Sequence, residues 1–280
     1  MILITGANGQ LGSDLVRLLD EKDAEYKAVT IDDMDITKVA DVEKVFEQIQ
    51  PDVVYHCAAY TAVDMAEDEG HDLNYLVNVL GTVNIAKATE KYGAKLVYIS
   101  TDYVFSGKKP KGEKWHVDDF QDPQNEYGRA KLLGEEAVKQ ICSKFYIVRT
   151  SWVFGKYGKN FVFTMQGLAK THKTISVVND QFGRPTWART LAEFMVFLIE
   201  NSSAYGIYHL SNDSEDGISW YEFAKEILKN TDVEVLPVNS DEFLTKAKRP
   251  ENSTMDLEKT KATGFTIPTW KEALEAFRAQ

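Results

Sequence analysis

The chain opens MILITGANGQLG, and this stretch restricts the fold more than any other. "MILIT" is short, apolar and partly β-branched, the composition of a buried strand. Gly6, Gly9 and Gly12 follow it directly with spacing GxxGxxG, and "LGSDLVRLLDEK" continues as an amphipathic helix. Glycines permit positive φ and let the main chain approach a pyrophosphate closely. The helix start then presents free N–H groups to the anion. A strand, a glycine turn and a helix in that order predict a dinucleotide-binding βαβ unit, with Gly6, Gly9, Gln10, Leu11 and Gly12 around the phosphates.

The next hundred residues repeat the alternation. Strands are predicted over 26–32, 52–59, 95–100 and within 144–155. Helices fall between them, including a long one over 73–93 that ends at Gly93. Right-handed crossovers then give a doubly wound parallel sheet covered on both faces, an α/β fold. After Gly155 the pattern loosens. Helices are predicted over 160–172, 186–201 and 219–230, the last with Ser219 as N-cap, and a further helix ends the chain. The expected division is residues 1–154 as the dinucleotide-binding domain and 155–280 as a smaller substrate-binding lobe, with helix 187–200 returning to the first.

The second strand runs into "IDDMDI". An acid about 20 residues past the last glycine can bond a ribose 2′-hydroxyl and repel a 2′-phosphate. Asp32 holds that place, with Asp33, Asp35 and Ile36 beside it and no arginine. NADH is therefore favoured, while NADPH stays open through a lysine from elsewhere. Ala59, Tyr60 and Thr61 follow the third strand, where small residues leave room for the nucleoside.

Ser100 and Thr101 end the fourth strand in "YISTDYVFSG", on the same sheet edge as the glycine turn. In "NEYGRAKLLGEE", Tyr127 and Lys131 share a helix face at i, i+4. An ammonium beside a phenol is expected to favour the phenolate and lower its pKa, tuning a proton donor.

These residues are similar to those of the extended short-chain dehydrogenase/reductase superfamily. "STDYVFSG", "YGRAK", "RTSWVFG", "NDQFGRPT" and "KRPENSTMD" resemble, more narrowly, the dTDP-4-dehydrorhamnose reductase family over nearly the whole chain. The resemblance implies a Rossmann-type fold and hydride delivery from NAD(P)H to C4 of a dTDP-linked 4-keto sugar, with Tyr127 giving the proton to O4. Tyr127, Lys131 and Thr101 would be catalytic, and Lys131 would also hold the ribose. Thr101, Asp102 and Trp152 would touch the sugar nucleotide. Arg184 and Arg249 would take its pyrophosphate bidentately, and Asn160 would touch the nucleotide.

Some members bind Mg²⁺ at a dimer interface through glutamates. Asp14 and Arg189 stand at those places here, and an arginine repels a cation. No metal is expected, and a monomer or weak dimer is. Arg189 would pair within the chain. "KKPKGEK" (108–114) reads as a solvated hairpin or as a mobile cover over the sugar.

Three other functions compete. A dehydratase needs a second carboxyl after the active-site threonine, where this chain has Tyr103. An epimerase would recycle its cofactor without net consumption. A silent NADP-binding regulatory subunit would bind a partner without sugar turnover.

The 280 residues carry a net charge of -11, which argues against nucleic acid as a partner. No stretch approaches the ~20 apolar residues of a membrane span. Cys57 and Cys142 form no CxxC motif, and the five histidines lack ligand spacing. A cytoplasmic protein is expected.

Overall fold

A computed structural model describes all 280 residues. The first half lays down β1 (Ile2–Thr5), α1 (Gln10–Glu21), β2 (Tyr26–Val29), α2 (Val39–Ile49), β3 (Val53–His56), α3 (His71–Tyr75), α4 (Thr82–Lys91), β4 (Lys95–Thr101), α5 (Glu126–Ile141) and β5 (Phe145–Thr150). The strands carry Val, Ile, Leu and Tyr with little polar alternation, and β3 is buried at every position. Such strands need cover on both faces.

The second half contributes β6 (Val153–Phe154), α6 (Phe161–Leu168), β7 (Thr174–Val178), β8 (Phe182–Gly183), β9 (Thr186–Trp187), α7 (Ala188–Glu200), β10 (Gly206–His209), β11 (Ile218–Ser219), α8 (Trp220–Ile227), β12 (Glu234–Val238), α9 (Glu258–Lys261) and α10 (Trp270–Arg278). Ser219 caps α8 as expected. Its hydroxyl accepts from the Glu222 N–H while the Glu222 carboxylate accepts from the Ser219 N–H, a capping box.

The main sheet has six parallel strands in the order β10-β5-β4-β3-β1-β2. Its direction of growth reverses between β1 and β3, so a crevice opens there beyond the carboxyl ends of the strands. One face is covered by α2, α4 and α5 through Phe46, Ile85, Ala86 and Val138. The other is covered by α1 and α7, where Leu15, Leu18 and Leu19 meet Leu191, Phe194 and Met195.

Helix α7 thus lies on the sheet although it follows residue 155. Strand β10 does the same, pairing with β5 from Gly206↔Tyr146 to His209↔Arg149. The remaining second-half elements build their own core around Phe154, Phe223, Trp270 and Phe277, between the β7–β12 pair and helices α6, α8 and α10.

The helix expected over 73–93 is divided. Between α3 and α4 the chain makes a π-helical turn over Leu76–Gly81. The wider turn accompanies two buried asparagines, Asn74 and Asn78. Asn78 accepts from the Tyr60 N–H at 3.1 Å and donates to the Tyr60 carbonyl at 2.9 Å and to Asn74 Oδ1 at 2.8 Å. Those bonds fasten the loop after β3, the kind of place where π-turns concentrate. No helix is long and apolar enough to cross a membrane.

Candidate functional site

Gly6 has φ +64° and a Cβ there would stand 2.6 Å from the Ala58 nitrogen; at Gly12 it would stand 2.2 Å from the Gly6 carbonyl oxygen. Both positions therefore need glycine for the turn to close between β3 and α1. Gly9 is the N-cap of α1 and supplies no side-chain cap. The N–H groups of Gln10, Leu11 and Gly12 have no carbonyl one turn back to receive them. The turn is thus an open main-chain cradle that fits a dinucleotide diphosphate.

A two-part crevice runs over this turn. One cavity of about 380 Å³ is lined by Gly6, Thr30, Met34, Asp35, Ile36, Ala58, Ala59, Tyr60, Leu76 and Val77, among others. The other, of about 490 Å³, is lined by Gly9 to Gly12, Thr61, Ser100 to Tyr103, Tyr127, Lys131, Trp152 and Lys159, among others. They share Gly9, Cys57 and Ala59. The first suits an adenosine and the second a reacting group.

The opening of α5 sets Tyr127 and Lys131. Asn125 caps the helix by accepting from the Gly128 N–H at 2.7 Å. Its amide donates to the Lys248 carbonyl at 3.0 Å, tying the helix start to the later chain. Tyr127 packs edge-on against Tyr103 with centroids 5.9 Å apart. Lys131 is 3% exposed, and its ammonium lies 4.1 Å from the centre of the Tyr98 ring.

The expected lowering of the phenol pKa is not found. Burial drives the Tyr127 pKa up, the Asp102 and Tyr103 charges add to that, and the Thr101 hydroxyl opposes it weakly. Burial also brings Lys131 down to about 7 against the pull of Glu135. With the ammonium itself destabilised, desolvation outweighs the pairing that spacing suggested. The Tyr127 phenol is held protonated.

Thr101 donates to Asp102 Oδ1 at 3.0 Å and accepts from the Tyr103 N–H at 3.2 Å. Burial raises Asp102 to about 6, against the opposing hydroxyls of Ser253 and Thr101. Trp152 faces the same cavity from a left-handed backbone (φ 47°). Its indole stacks on Trp220 with centroids 3.6 Å apart. A Cβ at Gly183 would come within 2.7 Å of that indole, so the neighbouring strand closes upon it.

Four expected site residues lie elsewhere. Asp32 is exposed and outside the crevice lining. Strand β2 ends at Val29, so the turn begins early and Asp35 and Ile36 reach the crevice instead. Arg184 is 2% exposed, pairs with Asp213 at 3.4 Å and donates to the Glu215 carbonyl, away from the crevice. Asn160 caps α6 and donates to Gln10 Oε1 at 3.0 Å and to the Gly155 carbonyl at 2.8 Å. Arg249 pairs with Asp64 at 2.6 Å and reaches the Tyr103 hydroxyl at 3.4 Å, beside the crevice rather than on its wall. Charge and motif position marked these arginines, but neither reveals an intrachain partner.

Tyr103 and Lys159 line the crevice without having been expected there. Tyr103 adjoins Asp102 in the quoted motif, a signal that was available. Lys159 lies in a loop whose placement depends on tertiary packing. Arg189 pairs with Glu21 at 2.5 Å and Glu193 at 2.8 Å, the intrachain bridge anticipated for it. The 108–114 loop is fastened rather than free. Asn252 donates to the Pro110 and Glu113 carbonyls at 2.8 Å each, and Lys109 pairs with Asp119 at 2.6 Å.

A doubly wound sheet with a glycine-turn crevice and a Tyr-xxx-Lys helix at its mouth defines a Rossmann-type protein of the short-chain dehydrogenase/reductase kind. The chain belongs to the RmlD substrate binding domain family, whose model matches residues 1–280. It is 40% identical to the spore coat polysaccharide biosynthesis protein SpsK of Bacillus subtilis, over 99% of this chain and 96% of that one. It is 38% identical to the dTDP-4-dehydrorhamnose reductase of Aggregatibacter actinomycetemcomitans, over 99% and 98%. The crystal structure of dTDP-4-dehydrorhamnose reductase from Bacillus anthracis in complex with NADP superposes with a TM-score of 0.94 at 44% identity, covering 99% of this chain and 98% of that one.

Proposed function

We propose that this protein reduces the C4 ketone of dTDP-4-dehydro-L-rhamnose to dTDP-L-rhamnose. The observation that carries the reading is the gathering of Thr101, Tyr127 and Lys131 on the wall of a cavity that opens from the glycine turn. The family and the reductases similar to this chain support it. A bound reduced nicotinamide supplies the hydride. Tyr127, kept protonated by burial, donates the proton to O4. The phenolate left behind draws Lys131 toward its charged form, and the lysine also holds the ribose hydroxyls. Thr101 hydrogen-bonds the sugar oxygen. Asp102 and Trp152 orient the sugar, and Arg249 approaches the nucleotide from beside Tyr103. Residues past 155, apart from α7 and β10, form the substrate-gripping lobe.

Asp35 and Ile36 take the adenosine ribose in this reading. The Asp35 carboxylate accepts from the Thr37 N–H at 3.0 Å and hydroxyl at 2.7 Å, and Lys38 stands 3.2 Å away. An acid so occupied, with a lysine beside it, leaves less reason to refuse a 2′-phosphate than Asp32 gave. The preference expected for NADH over NADPH is therefore withdrawn and both cofactors are kept, in keeping with the NADP bound by the Bacillus anthracis relative.

The test mixes purified protein with dTDP-4-dehydrorhamnose and either cofactor, follows the reduced-nicotinamide absorbance and identifies the product. Stoichiometric consumption with dTDP-L-rhamnose formed is expected. Isomerised sugar without net consumption would mean an epimerase. Tight dinucleotide binding with no turnover would mean a regulatory subunit.

A further inference from the structure

The crevice is short of positive charge for a dianionic ligand. Lys131 and Lys159 are its only lining lysines, and no arginine lines it. Lys131 is buried against the Tyr98 ring at the reacting end. Two carboxylates, Asp35 and Asp102, line the same walls. The whole chain is acidic, with a net charge of -11.

Lys159 is placed differently. It is exposed, and no carboxylate lies within salt-bridge distance of its ammonium, unlike the paired Lys109, Lys229 and Lys261. The residue after it is bonded to the first residue of α1, and the one before it lies close by. A Cβ at Gly158 would lie 3.8 Å from Gln10 Cβ, and Asn160 donates to Gln10 Oε1 at 3.0 Å. Gln10 in turn donates to the Val153 carbonyl at 3.1 Å, closing the bracket from the other side. The loop is therefore tied to the helix start, and Lys159, without a carboxylate partner, lines the same cavity as Gly9, Gln10, Leu11 and Gly12.

We infer that Lys159 is a binding residue for the dinucleotide's diphosphate, supplied by the second half of the chain to the glycine turn of the first. Main-chain N–H groups and the helix dipole offer only partial charge. A flexible ammonium adds a full charge and can follow either phosphate as a point contact. This rests on the reductase reading, through the dinucleotide alone. The sugar nucleotide also carries a diphosphate, and the two sources are separable.

The experiment titrates wild type, Lys159→Ala and Lys159→Arg with NADPH, ADP-ribose and dTDP, reading intrinsic tryptophan fluorescence. Lys159→Ala should weaken NADPH and ADP-ribose about tenfold, the size of one charge-assisted hydrogen bond, and flatten their salt dependence. The affinity for dTDP should hold, and Lys159→Arg should restore most of the loss. A selective loss for dTDP would assign the lysine to the sugar nucleotide and overturn the inference. Unchanged affinities for all three would overturn it also. Intact dinucleotide binding by wild type without sugar reduction would defeat the reductase reading while leaving the Lys159 result standing.

Discussion

The residues at the crevice show burial competing with charge pairing. Tyr127 and Lys131 stand where an i, i+4 ion-assisted pair was expected, yet each is shifted away from its charged form. A buried phenol keeps its proton, so the group enters the reductive direction loaded with the proton it must give. Tyr127→Phe should lower kcat by ~10²–10⁴ while the dinucleotide Kd stays within about twofold. Single-turnover rates and a fluorescence titration would check both halves. The lysine makes a stability prediction. Its folded pKa of about 7 lies below the ordinary lysine value of 10.5, so between these values the unfolded chain binds more protons. Stability therefore rises with pH across that window, and the penalty is greatest below it. Lys131→Met should be more stable than wild type near pH 6, with the gain shrinking toward pH 10 in denaturant melts. A gain that grows with pH would contradict the lysine's depressed pKa. Thr101, Tyr127 and Lys131 were legible because each occurs in a short local motif. Asp32 was misplaced because it was counted from the glycines, whereas crevice position depends on where β2 ends.

Among the elements, local pattern identified every main-sheet strand of the first half. It failed where distant residues decide. The π-turn depends on Asn78 reaching the Tyr60 backbone, and nothing in "NYLVNVLGTVN" announces that partner. Helix α7 is different. Its apolar surface is too large for a solvent-facing helix, and it fills the groove against α1. Phe194, fully buried there, meets Tyr208 and Phe265 with centroids 5.8 Å and 5.1 Å away. Phe194→Ala should cost about 3–5 kcal/mol in urea unfolding, since a phenyl-sized void beneath the sheet cannot collapse readily. A loss below about 1 kcal/mol would mean that α7 contributes little to holding this layer.

At the scale of the whole molecule, the chain crosses between its two halves more often than a single boundary allows. It leaves the sheet after β5, builds part of the second core, returns through α7 and β10, and leaves again. The crevice is made the same way, with the glycine turn from one half and Trp152 and the 155–160 loop bridging to the other. The return of helix 187–200 was expected from the sequence, but the pairing of β10 with β5 was not, because strand order in a parallel sheet is not encoded in any one segment.

That weave governs what can be cut away. A fragment ending at residue 154 would lack β10, leaving the main-chain donors and acceptors of β5 as a naked border flanked by Tyr146 and Val148. Such a border recruits other chains. Expressed alone, residues 1–154 should enter inclusion bodies or elute as aggregates on size exclusion, and should regain solubility when α7 and β10 are grafted back by a short linker. The nucleotide-holding half is therefore not a detachable module, and its working life as a folded object begins only after the ribosome has delivered His209.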